Sequence, residues 1–86
     1  MELIAVVGPG GPERDGLLAA LGRAPWAAGP AMTVDVAEEG LDAAERHRAW
    51  AALRRTAESG TTVVAGCGSA ESAGPYAHRM VLMGQG

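Results

Sequence analysis

Between the apolar run ending at Val7 and the leucines at 17 and 18 lies Gly8-Pro9-Gly10-Gly11-Pro12-Glu13-Arg14-Asp15. A glycine-rich turn opening a helix is a place where backbone N–H groups converge on an anion, helped by the positive end of the helix dipole. Gly8, Gly10 and Gly11 could form such a nest, with Arg14 adding a cation. Two features oppose it. Pro9 and Pro12 each remove an N–H donor, and Glu13 and Asp15 place carboxylates where the oxygens of a bound anion would sit. Repulsion between unit charges about 4 Å apart near a protein surface is on the order of 4 kcal/mol, which is about a thousandfold in affinity. The same carboxylates suit the first turn of a helix, where they offset its dipole.

Other residues with chemical potential are scattered. Cys67 follows a β-branched run at the edge where α/β folds place active sites, so a nucleophilic thiol competes with a small, semi-buried packing residue. One cysteine excludes an internal disulfide. His47 and His78 lack the close His/Cys spacing of a metal site. Asp35 and Asp42 could be remnants of a Mg²⁺ site, although Asp42 is equally placed to cap a helix. Arg46, Arg48, Arg54 and Arg55 could face an acidic partner, or form a solvated face together with Glu45 and Glu58. Trp26 and Trp50 read as core or interface anchors.

The elements that must position these groups are short. Eighty-six residues make one small domain, which buries only about 60–65% of its unfolded surface. Apolar residues are 48% of the chain but include no Phe, so the core is shallow and suits short strands against helices. A net charge of −3 argues against non-specific nucleic-acid binding. No apolar run is long enough to span a membrane, and nothing resembles a secretory signal. A cytoplasmic protein without direct membrane insertion is expected.

Strands and helices alternate along the chain. Strands are expected over 2–7, 32–36, 61–65 and 78–83, and helices over 13–21, 42–59 and 70–77, the last interrupted or ended near Gly74-Pro75. The segment 66–69 is the exit turn of the third strand, 23–30 is a Pro/Gly/Ala turn region, and 84–86 is a tail. Asp42 and Glu45 are spaced as a capping box, and Gly60 suits a helix C′ position. Trp50, Leu53 and Ala57 form the apolar stripe of the long helix. Such alternation implies right-handed crossovers and a parallel sheet with helices on both faces.

Three blocks in order resemble the ATP-binding domain of ABC transporters. The first is the turn after Val7: in the P-loop spacing Gly-x-x-x-x-Gly-Lys-Ser/Thr, Gly8 matches the first glycine. Glu13, Arg14 and Asp15 then replace the second glycine, the lysine and the hydroxyl. The second block, Val34-Asp35-Val36-Ala37-Glu38-Glu39-Gly40-Leu41-Asp42, is similar to a Walker B strand running into the D-loop. The third runs from Gly60-Thr61-Thr62-Val63-Val64 through Gly68 and Glu71 to Ala77-His78-Arg79-Met80-Val81-Leu82-Met83-Gly84-Gln85-Gly86, and resembles the switch strand, its helix and the final strand ending in glycine.

The resemblance implies a minimal three-layer P-loop-like fold with a four-stranded parallel sheet and about three helices. Its strand order would be C-terminal strand, P-loop strand, third strand, Walker B strand. It also exposes what has gone. The catalytic glutamate aligns with Val36 and the switch histidine with Gly68, and only about residues 22–31 stand where the family carries further subdomains and its Leu-Ser-Gly-Gly-Gln motif. Gly8, Gly10, Gly11, Arg14 and Asp15 then form a vestigial phosphate loop and Asp35 a vestigial metal position. The loss leaves Ala31 to Val36 as an uncovered sheet edge.

The expectation is a non-catalytic, ABC-derived interaction or regulatory domain that pairs with itself or a protein partner through that edge. A nucleotide- or phosphate-binding accessory domain, using ATP and Mg²⁺, is the alternative. An enzyme with Cys67 as nucleophile is a third.

Overall fold

The computed structural model describes residues 2–23, 30–36 and 40–83. Their elements are β1 (Leu3–Val7), α1 (Pro12–Gly22), β2 (Ala31–Asp35), α2 (Ala43–Glu58), β3 (Thr62–Cys67), α3 (Ala70–Ala73) and β4 (Arg79–Leu82). Composition decides which strands take the middle. β1 is wholly apolar and β3 nearly so, and both are buried along almost their full length. β2 and β4 carry Thr33, Asp35 and Arg79 and are largely exposed. Strands that bury both faces belong inside a parallel sheet, and the sheet order is β2-β3-β1-β4, with all pairings parallel. The expected α/β class, four-stranded parallel sheet, three helices and strand order are those observed.

The two faces have separate cores. On one, α1 sets Leu18 against Ile4, Val6 and Val64, with Leu17, Leu21, Val81 and Met83 around them. On the other, α2 and α3 bring Trp50, Ala57 and Ala73 onto Leu3, Ala5, Val63, Ala65 and Cys67. Trp50 is fully buried and stacks on Tyr76 at 6.3 Å between ring centroids. With no Phe in the chain, this indole is the largest filler of the second core.

Each helix end has a local cause. Gly11 precedes α1 with φ 150°, a conformation that L side chains rarely adopt, and Pro12 then occupies the first helical position. Asp42 and Glu45 form the expected reciprocal capping box of α2, with Glu45 N–H donating to Asp42 Oδ1 at 2.8 Å and Asp42 N–H donating to Glu45 Oε1 at 3.1 Å.

Several boundaries differ from expectation. β3 continues through Gly66 and Cys67, which were expected to form its exit turn; both are buried and paired with Val6 and Val7 of β1. Neither is polar, so nothing forces the chain out of the sheet before exposed Gly68. α3 stops at Ala73, at the Gly74-Pro75 break where an interruption was expected, because Pro75 has no N–H to continue the helical ladder. β2 ends at Asp35, and Val36 lies just beyond it, though its N–H still donates to Gly66 O at 2.8 Å. The arginines of α2 do not form one solvated face. Arg48 and Arg55 are exposed, whereas Arg46 donates to Leu41 O at 2.7 Å and Arg54 donates to the Tyr76 carbonyl. Trp26, most of the 23–30 turn region, Ala37, Glu38 and Glu39 of the second block and the 84–86 tail lie outside the described residues.

No helix of the described residues is long and apolar enough to cross a membrane.

Candidate functional site

The connections leaving β1 and β3 run toward opposite edges of the sheet. From β1 the chain passes across β3 to reach β2, and from β3 it passes back across β1 to reach β4. In open parallel sheets the crevice outside the carboxyl ends of strands at such a reversal is where ligands bind. Here a cavity of about 570 Å³ opens at that point, bordered by Gly8, Pro9, Gly10, Arg14, Asp35, Val36 and Gly68. Arg14, the adjacent Asp35 and Val36, and Gly68 come from three distant segments of the chain. The fold brings them to one place.

Arg14 organises this crevice. It sits in the first turn of α1, its side chain lying across Gly66: a Cβ built there would come within 3.1 Å of Arg14 Nε and 2.9 Å of a Leu18 methyl. A glycine in β3 is therefore what lets the guanidinium lie flat against the sheet. Arg14 is only 6% exposed. Its Nη1 donates to the Gly8 carbonyl at 2.8 Å and its Nη2 to Asp35 Oδ1 at 2.6 Å. Nε is buried with no hydrogen-bond partner. A guanidinium keeps its charge in proteins, so burial requires a counter-charge, and Asp35 supplies it from the end of β2. The Asp35 side chain is itself 54% exposed.

The backbone of the turn is also partly committed. Gly8 N–H donates to Cys67 O at 3.0 Å, tying β1 to β3, and Asp15 N–H donates to Gly11 O at 3.0 Å within α1. Pro9 and Pro12 offer no donor. Gly10 borders the main cavity, whereas Gly11 borders a neighbouring one with Glu13 and Met83. Asp15 is exposed and faces a third groove, shared with Thr33 and Asp35. The five expected loop residues are thus neighbours that look onto different spaces. Three features oppose a bound polyphosphate: the cation has a carboxylate already, one glycine N–H is spent on the sheet, and Glu13 and Asp15 are exposed at the helix start.

Of the remaining candidates, Cys67 is fully buried in the α2-side core. His47 pairs through Nδ1 with the Tyr76 hydroxyl, and His78 Nδ1 accepts the Leu3 N–H at 2.9 Å. Among the described residues no group of three or more His, Cys, Asp or Glu is arranged to hold a metal ion.

The pairing of Arg14 with Asp35 is what sequence reasoning missed. It read Arg14 as an anion grip and Asp35 as a metal remnant, each toward an outside ligand. The available signal was the strand order combined with Gly66, which together place the two side chains over one glycine. No protein-family profile, curated protein or solved structure matches this chain.

Proposed function

We propose that this chain is a non-catalytic interaction domain derived from an ABC-type ATPase, in which the former phosphate grip has become an internal structural clamp. The observation that carries this reading is the Arg14–Asp35 pair, 2.6 Å apart with Arg14 6% exposed. The residue at the phosphate-lysine position neutralises the residue at the metal-binding position, so neither is available to Mg-ATP. Convergence of Arg14, Asp35, Val36 and Gly68 on one cavity supports the ancestry, since the resemblance assigns just those positions to one site. Val36 and Gly68 carry no group able to activate water.

With the chemistry gone, surface remains. Among the described residues no strand pairs with the outer side of β2 or β4, and Met32, Met80 and Leu82 are exposed at 38%, 40% and 49%. Parallel-sheet edges are normally covered or blocked by charge, and this supports a domain that works by association. Titration calorimetry with Mg-ATP tests the reading: no heat of binding is expected, and micromolar affinity would overturn it.

One observation favours a second reading, a nucleotide- or phosphate-binding accessory domain. The 570 Å³ crevice at the strand-order reversal retains Gly8, Gly10 and Arg14 on its wall. On that reading nucleotide raises the melting temperature and Arg14→Ala abolishes the rise. Absence of any nucleotide effect on the parent chain eliminates it.

A further inference from the structure

The β2 edge has a backbone pattern that fits a second copy of itself. Thr62 N–H donates to Pro30 O at 2.9 Å and Val36 N–H donates to Gly66 O at 2.8 Å. With β2 and β3 in continuous parallel register between those bonds, strand alternation commits the even-numbered residues of β2, Met32 and Val34, to β3. The N–H and C=O groups of Ala31, Thr33 and Asp35 therefore point away from the sheet, and no strand among the described residues lies on that side.

We propose, building on the interaction-domain reading, that two copies pair antiparallel through β2 about a two-fold axis at Thr33, joining their sheets into one. The register follows from the sequence Ala31-Met32-Thr33-Val34-Asp35. Centring on Thr33 sets it opposite its own copy and Ala31 opposite Asp35, so the outward groups of each face the outward groups of its mate. Met32 then lies opposite Val34, an apolar pair that covers the exposed Met32 side chain on the α2 side of the sheet.

No like charges meet in this register. The only charged side chain of the strand, Asp35, is already paired with Arg14 on the α1 side and stands opposite Ala31. A shift centring the axis on Asp35 would bring two carboxylates together, and one centring it on Met32 or Val34 would pair only two of the three outward residues within the strand, whereas the Thr33 axis pairs all three. Nor does the strand carry the Lys or Pro with which exposed edges block such pairing. β4 is a poorer candidate, being only four residues long and opening on Arg79, whose side chain is 71% exposed.

Sedimentation equilibrium on the full chain, with Thr33 variants, tests this. The parent is expected to be dimeric. Thr33→Lys and Thr33→Glu should each be monomeric, since a residue opposite itself brings like charges together, and mixing the two should restore a dimer. Thr33→Cys should give a covalent dimer on mild oxidation while Ala31→Cys does not; antiparallel partners at a hydrogen-bonded pair lie about 5.5 Å apart, within disulfide range. The native Cys67 is buried and does not interfere. A monomeric parent, a dimer indifferent to Thr33→Lys, or cross-linking through Ala31 in preference to Thr33 would overturn the inference. Such results leave the loss of ATP binding, read separately by calorimetry, untouched.

Discussion

Replacing Asp35 by Asn should destabilise the chain through Arg14, and replacing Arg14 first should remove most of that effect. Asp35→Asn keeps the shape of the side chain but leaves a guanidinium that is 6% exposed with the Gly8 carbonyl and no counter-charge. Removing one partner of a fully buried pair costs about 3–5 kcal/mol. The Asp35 carboxylate is 54% exposed, and water already solvating it reduces the figure toward the small values of surface pairs. We therefore expect about 1–2 kcal/mol. For a domain of 60–100 residues this lowers Tm by roughly 4–16 °C.

Arg14→Met keeps most of the stem that packs on Gly66 while removing the charge. In that background Asp35→Asn should cost little, giving a coupling of about 1–2 kcal/mol. Urea unfolding of the four proteins, with unchanged m-values, is the assay. Additivity within about 0.5 kcal/mol would refute the view that Arg14 and Asp35 form a clamp.

Gly66→Ala places a methyl within 2.9 Å of Leu18 and 3.1 Å of Arg14 Nε and should cost about 1–3 kcal/mol by overpacking, again read from urea midpoints. Asp42→Ala breaks the capping box of α2 and should cost about 1 kcal/mol, seen as a lower Tm by circular dichroism. Trp50→Ala empties the centre of the α2-side core and should cost about 3–5 kcal/mol. That is comparable to the whole stability expected of a chain this size, about 4–13 kcal/mol, so thermal unfolding should lose its cooperativity. The Cys67 thiol, fully buried, should react with a disulfide reagent only in denaturant; rapid reaction in buffer would contradict its place in the core.

The fold was largely legible in the sequence. Apolar runs at β1 and β3, polar residues in β2 and β4, and the Asp42–Glu45 spacing are local signals, and local signals govern strand burial and helix capping. Element ends were read less well where small residues such as Gly66 and Cys67 suit a turn and a tightly packed strand equally. The candidate site was legible only as a list of positions. Glycine spacing and the Asp35 strand end located the crevice, but the identity of Arg14's partner depends on a crossover that sets β2 two strands away from β1. No pattern within one segment contains that contact. The arginines of α2 failed for a similar reason, since Arg54 reaches a carbonyl at Tyr76, 22 residues away.

The central claim, that the cation of the β1–α1 turn is consumed inside the molecule, is tested most directly by amide NMR of the ¹⁵N-labelled chain titrated with Mg-ATP. The Gly8, Gly10, Gly11 and Arg14 resonances should stay in place into the millimolar range. Saturable shifts of those amides with a micromolar midpoint would contradict it.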